Sequence, residues 1–254
     1  MIKIAVPLDN QKQNGWDLLV ERFNLHKEIQ QIHPDAAVNI FVGWPILLEK
    51  INSHKEILNK NELNILDFGC GTGGFIKKLN SLGHKVLGAD KSSQMLDNAK
   101  QNLGNTLEFL TTKDLFSTKK DFAEKFDAVI SIHALEWIED IDDVIYKLTK
   151  MIRKNGIFIF AVFPREHVID SLKINDLFED FDSSENPTKG SANFDGIKIP
   201  VFIRDSEFFD SIFEKYNFEK ISEDCPKYPE KFLETYKWQG SKSSEMVILS
   251  YRKL

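Results

Sequence analysis

Ile65-Leu66-Asp67-Phe68-Gly69-Cys70-Gly71-Thr72-Gly73-Gly74 joins an apolar run to a glycine-rich bend, and its reading decides the fold. Apolar residues lead into an aspartate, and the glycines then let backbone approach backbone, or a ligand, where a Cβ would collide. A helix-like stretch with Phe75, Ile76 and Leu79 follows, which puts the bend at a strand-to-helix corner where free N–H groups face a ligand. Gly69, Gly71 and Gly74 satisfy the G-x-G-x-x-G dinucleotide fingerprint, and Asp90 stands at about the expected 20 residues beyond. Asp67 is the discordant feature, because a loop that cradles a pyrophosphate has no need of a carboxylate there.

Outward from this corner the chain alternates strand and helix. The patterns predict strands over 63–68, 85–90, 106–110, 126–131 and 156–163, with helices near 73–82, 92–103 and 139–153. Asn155-Gly156 marks the last helix-to-strand turn. Such alternation with short connections indicates parallel βαβ units covered on both faces. A helix near 205–216 and strands near 218–224 and 245–252 follow. Before the first strand, apolar residues from Trp16 to Ile32 recur at helical intervals, His33-Pro34 ends that stretch, and a second helix is expected from Pro45 to Leu58. The expected organisation is a helical N-terminal cap over 1–60 and an α/β domain over 61–254. Residues 164–204 are read as an irregular excursion across the ligand-binding face.

Composition narrows the class of partner. The chain has 254 residues, 42% of them hydrophobic, which suits one elaborated α/β domain. A formal charge of −6 without a basic stripe argues against a nucleic-acid surface. Two cysteines, one of them inside the glycine bend, fit a reducing compartment. The start, Met1-Ile2-Lys3-Ile4-Ala5-Val6-Pro7, has no secretory pattern, and no run of about 18 apolar residues offers a membrane span. The expectation is a cytoplasmic protein with no membrane partner. The six histidines lack ligand-like spacing, so no metal site is expected. The oligomeric state is left open.

The segment 65–74, with the matching strand ends that follow it, resembles the cofactor loop of class I S-adenosylmethionine-dependent methyltransferases. The resemblance implies a Rossmann-like, mostly parallel seven-stranded sheet with an antiparallel last strand, and S-adenosylmethionine as cofactor. The methyl donor has no pyrophosphate, so Asp67 has a task in this family, holding the cationic amino-acid end. Gly69, Cys70, Gly71, Thr72 and Gly73 would form the loop around it. Asp90, ending the second strand, would grip the ribose hydroxyls, with Lys91 beside it and Met95 packed towards the adenosine. Asp114-Leu115 would meet the adenine, one residue later than the common pattern, with Phe116 near for stacking. Strand four, Phe126 to Trp137, carries Ser131, Ile132 and His133 at the tip that would face the methyl group. A dinucleotide-dependent oxidoreductase, or a cofactor-binding protein without transfer, stays open at this point.

The acceptor is less legible. Methyl transfer from a sulfonium is an in-line displacement, so alignment and exclusion of water matter most. His133 is the candidate base for a hydroxyl or amine, since its ordinary pKa lies near neutrality. Ala134-Leu135-Glu136-Trp137 is similar to the Ala-Leu-Gln-Trp of enzymes that esterify carboxylates, a chemistry that needs a cationic anchor instead. Arg165 and Arg204 are the anchors expected in that case, and Trp16, Trp44 and Trp137, with Phe41, would shape the pocket. A small-molecule acceptor is expected.

Overall fold

Among the residues described by the computed structural model, 14–104, 107–117, 121–240 and 243–254, seven strands make the central sheet. They are β1 (Asn64–Phe68), β2 (Lys85–Asp90), β3 (Glu108–Thr111), β4 (Phe126–Ile132), β5 (Ile152–Val162), β9 (Phe218–Asp224) and β10 (Val247–Lys253). Their order is β3-β2-β1-β4-β5-β10-β9. The first five strands pair in parallel, and β10 runs antiparallel to both β5 and β9. This is the Rossmann-like sheet expected, with the last strand reversed. The expectations on residues 1–13 and on residue 106 lie outside the described residues.

Alternation along each strand sends successive side chains to opposite faces. Ile65, Ile130, Ile159 and Ile248 therefore fill one core, together with Leu47 and Ile51. Leu66, Val129, Phe158, Phe160 and Leu249 fill the other. Helices α3 (Gly74–Ser81), α4 (Ser93–Leu103), α5 (Thr112–Ser117) and α6 (Ile141–Met151) follow β1 to β4 in turn. Ser92 caps α4, its Oγ accepting the Met95 N–H at 3.1 Å, and Gly104 at φ 75° ends it. The sheet reverses its winding at β1, which is flanked by β2 and β4, so a crevice opens beyond the carboxyl ends of these strands. No helix among the described residues is long and apolar enough to cross a membrane.

Three expectations need correction. Residues 16–32 do not form a helix; only the short 3₁₀ turns Gly15–Leu18 and Ile29–Gln31 occur there. The apolar residues spaced along this stretch serve different sites. Leu19 enters a third core and Ile32 the first, while Phe23 and Leu25 lie over the crevice. Pro34, read as a stop, opens α1 (Pro34–Val38), because its missing N–H costs nothing at a first helical position. The chain then passes through a π turn (Asn39–Gly43) into α2 (Trp44–Ile57).

The stretch 164–204 is ordered structure, not an irregular excursion. It holds α7 (Arg165–Lys173) and a small antiparallel sheet of β6 (Phe178–Glu179), β7 (Lys189–Phe194) and β8 (Ile197–Phe202). Asp195-Gly196, both at positive φ, turns β7 into β8, a hairpin dipeptide that the sequence displayed. Finally, Asn155-Gly156 lies within β5 and not between helix and strand. The β4–β5 register shifts across that segment, with Asn155 at φ 62°. Helix α8 (Ser206–Lys215) and helix α9 (Glu230–Tyr236) complete the chain.

Candidate functional site

A cavity of about 310 Å³ occupies the crevice, lined at one end by the tips of β1 and β2. Such a volume is within the usual range for small-molecule sites. Asp67, Gly69, Cys70, Gly71 and Thr72 line it from the first loop, and Asp90, Lys91 and Met95 from the second. The glycines have distinct reasons to be there. A Cβ on Gly69, whose φ is 81°, would collide with Ala134, whereas one on Gly71 would meet nothing within 4 Å. The second position therefore opens onto free space in the cavity.

Asp67 is 3% exposed and accepts no hydrogen bond among the described residues. Burial, then the neighbouring Asp90, push its carboxyl up to about 7. Asp90 is also raised, by burial, against the pull of backbone N–H groups: Gly71 donates to its Oδ2 at 2.9 Å and Ser92 to its Oδ1 at 2.8 Å. Each oxygen keeps a lone pair, and helix capping falls to Ser92. Two buried acids, neither in a direct ion pair and only Asp90 feeling a nearby cation in Lys91, would repel a pyrophosphate and suit a cationic ligand. The donor set thus fits S-adenosylmethionine, whose amino-acid end and sulfonium are positive, better than a dinucleotide. Burial and these two acids also push the Cys70 thiol up, which keeps it protonated and unreactive.

The N-terminal segment is strapped across this loop. Thr72 Oγ1 donates to the Phe23 carbonyl at 3.0 Å, and His26 Nε2 meets the Thr72 carbonyl at 2.6 Å. A Cβ on Gly74 would lie 2.6 Å from that of Leu25, so this glycine serves close approach of the strap. Ser92 Oγ donates to Asp17 at 2.5 Å, tying the strap to the second loop as well.

His133 stands at the tip of β4, on the cavity wall, with φ 47°. A bulky residue in that conformation is uncommon and marks a position held by its surroundings. Its N–H donates to the Ala161 carbonyl at 2.9 Å, and its carbonyl accepts from Trp137 Nε1 at 2.6 Å. Nδ1 lies 2.6 Å from Oε1 of Glu136, a residue only 2% exposed. An ionised carboxylate can only accept, so Nδ1 carries the proton and Nε2 the lone pair. Nε2 has no partner among the described residues. Burial drags the His133 pKa down, but Glu136 and more distant Glu245 outweigh it and hold the imidazole above its ordinary value.

The remaining walls are aromatic. Trp16, Trp44 and Trp137 line the cavity, as do Phe23, Phe163 and Phe194. Trp16 meets Trp137 edge-on at 5.1 Å, and Lys91 Nζ lies 5.6 Å from the Trp16 ring centre. Phe163, Phe194, Thr112, Asp35 and Glu245 also line it, and sequence reading did not single them out. Glu245 had a visible signal: one acid at the mouth of the apolar run Met246-Val247-Ile248-Leu249.

Several expected residues lie elsewhere. Gly73, at φ 79°, packs where a Cβ would come within 2.9 Å of Leu103, and it does not line the cavity. Ser131 is buried in β4 and likewise not on the wall, while Ile132 is. Asp114 is exposed and bonded to Thr111 Oγ1 at 2.7 Å, and Leu115 packs in the second core, so Thr112 takes the wall position expected of them. Phe116 packs on Phe68, and Phe41 on Phe232 and Tyr236. Arg165 is committed to Asp205 at 2.6 Å and to the Pro187 carbonyl. Arg204 donates to the carbonyls of Ile138 and Glu139 at 2.8 and 2.9 Å. Both arginines border a separate shallow depression and neither lines the main cavity, although Arg204 Nη1 is buried without a partner among the described residues.

Comparison with known proteins agrees with this geometry. A family model described as a methyltransferase domain matches residues 66–160. The ubiquinone biosynthesis O-methyltransferase of Mesorhizobium japonicum is 34% identical over 108 residues, covering 41% of this chain and 42% of that protein. The chain thus spans about half or less of the length of the curated relatives it matches. Among solved structures, a Pyrococcus horikoshii protein superposes with a TM-score of 0.65 at 17% identity, covering 92% of this chain and 95% of that one. The magnesium protoporphyrin IX methyltransferase of Synechocystis, solved with bound S-adenosylhomocysteine, gives 0.54 at 18% identity, covering 84% of each chain. Loop chemistry, sheet order and sequence similarity converge: residues 66–160 match a methyltransferase domain on a fold shared with solved methyltransferases, which supports a class I S-adenosylmethionine-dependent methyltransferase.

Proposed function

We propose that the protein transfers a methyl group from S-adenosylmethionine to a hydroxyl of a small, largely apolar acceptor, with His133 as the base. The observation that carries this reading is His133 on the wall of an aromatic cavity, its Nδ1 bonded to buried Glu136 behind the wall and its Nε2 without a partner among the described residues. S-adenosylmethionine, when bound, supplies a methyl group activated by its sulfonium. Asp67 and the 69–72 loop would hold its amino-acid end, and Asp90 its ribose. Ile132, Met95 and Thr112 would border the nucleoside. Glu136 fixes the His133 tautomer, so that Nε2 can take the acceptor proton as the oxygen becomes nucleophilic.

A hydroxyl is favoured over a carboxylate because the cationic anchors that a carboxylate needs, Arg165 and Arg204, are engaged outside the cavity. The O-methyltransferase names of the curated relatives support an oxygen acceptor over a nitrogen one. Residues up to 60 and the 164–204 segment would act as a cover that excludes water. A cytoplasmic setting and a partner list limited to small molecules remain our reading, supported by two free cysteines.

Calorimetry with S-adenosylhomocysteine and with NADH tests the cofactor assignment. Micromolar binding of the first and none of the second is expected. Incubation with labelled S-adenosylmethionine and a metabolite extract should then give a labelled ether stable to mild base. A base-labile methyl ester would restore the carboxylate reading, and tight NADH binding without S-adenosylhomocysteine binding would overturn the function.

A further inference from the structure

Glu245 is one of the polar groups on the cavity wall, with Asp35, Asn39 and Lys91, to which methyl transfer as proposed above assigns no task. It sits just ahead of β10 and is 8% exposed. The Tyr228 hydroxyl donates to its Oε2 at 2.7 Å. No described residue hydrogen-bonds its Oε1 or forms an ion pair with it, so a nine-tenths buried carboxylate presents an unused oxygen in a cavity. A buried acid in this state is costly unless something positive or donating completes it.

Its surroundings lack that partner. Burial, with Asp35 and Asp176 adding negative charge, pushes the Glu245 carboxyl up to about 7, against the pull of His133 and Tyr228. Asp35 lines the same region and is ionised, held low by His33 and Arg22 against its burial. The same cavity is lined by the rings of Trp16, Phe23, Trp44, Trp137, Phe163 and Phe194. Aromatic faces around a carboxylate make the physical environment that retains an organic cation, since the ring quadrupole and the anion attract the same charge. An anionic acceptor would meet Asp35 and Glu245 with like charge. Lys91, the cationic side chain on the wall, lies instead beside Asp90 and Trp16.

We propose that the acceptor is a small hydroxylated amine whose ammonium group is held by Glu245 Oε1 within the aromatic walls while its hydroxyl meets His133. The assignment rests on reading this cavity as a methyl-transfer site. Glu245 is then a specificity residue, sorting acceptors by charge. Glu245 and His133 line the same cavity, which lets one small molecule meet both.

Three phenols of one shape test the idea: tyramine, tyrosol and 3-(4-hydroxyphenyl)propionate, carrying an ammonium, a hydroxyl and a carboxylate. Each is titrated calorimetrically into the full-length protein saturated with S-adenosylhomocysteine. Tyramine should bind at least ten-fold more tightly than the other two, and Glu245→Gln should erase that preference while leaving tyrosol and S-adenosylhomocysteine affinity unchanged. Glutamine keeps the volume and the Tyr228 bond, so retained S-adenosylhomocysteine binding reports an intact fold. Equal or tighter binding of the carboxylate overturns the proposal. So does a preference that survives Glu245→Gln, or no tyramine binding at millimolar concentration. Failure of the wild-type protein to bind S-adenosylhomocysteine would instead remove the cofactor reading on which the proposal stands.

Discussion

The two ends of the cavity are assembled in contrasting ways. The end assigned to the cofactor comes from two adjacent strand-to-helix corners, residues 67–72 and 90–95, whose carboxylates and glycines are fixed by backbone geometry. The other end collects Trp16, Asp35, Trp44, His133, Phe163, Phe194 and Glu245 from segments scattered over most of the chain. The first is a local device that any sequence with the same corner reproduces. The second exists only once the N-terminal strap, the β6–β8 sheet and the start of β10 have packed together. It follows that the cofactor end is generic and the acceptor end individual.

The contrast breaks most visibly at His133. His133→Ala should slow transfer by about 10²–10⁴ while S-adenosylhomocysteine affinity stays at the wild-type value. Loss of cofactor affinity in that variant would merge the two ends into one unit. Asp90→Ala is the complementary case. Removing a charged hydrogen-bonding partner should weaken cofactor binding by about 1.5–3 kcal/mol, roughly ten- to hundred-fold, in equilibrium dialysis. Unchanged affinity would remove the ribose assignment.

Glu136→Gln sharpens the comparison within the acceptor end. His133 acts when deprotonated, so the rate rises with pH through its pKa, which Glu136 helps hold above the ordinary value. Without that carboxylate the imidazole loses its proton more readily, and the rising limb of the kcat profile should move to lower pH. The plateau should fall by about ten-fold, because a base of lower pKa takes a proton less well. A limb that stays in place would detach Glu136 from His133. The smallest effect is expected of Arg165→Ala. Its pair with Asp205 lies outside the cavity, and a largely surface pair of this kind is worth about 0–1 kcal/mol. Transfer rates should match wild type, and a steep rise in KM would bring the carboxylate acceptor back.

Legibility followed the same division. The succession of β1 to β5 and the glycine corner were readable because strand alternation and glycine bends are short-range codes, whereas the reversed last strand and the tasks of Asp67 and Asp90 followed from the family resemblance. The helix expected at 16–32 failed because apolar spacing there answers to three tertiary sites and not to one helix face. Asp114, expected at the adenine, bonds Thr111 Oγ1 at an exposed position on α5, and Thr112, two residues earlier, lines the cavity. The β7–β8 hairpin was signalled by Asp195-Gly196, but its flanking strands are short and half polar, which hid the alternation.

The residue string by itself determined the sheet, the glycine corner and the negative charge that waits there for a cation. Each depends on neighbours within a few positions, where steric and hydrogen-bonding rules act locally. Tertiary packing alone decided that Glu136 grips His133, that both arginines are spent elsewhere, and that Glu245 faces the aromatic walls. The arginine and Glu245 relations join segments far apart in sequence, and the His133–Glu136 contact, though spanning only three residues, owes its strength to burial that exists only after the chain has closed on itself.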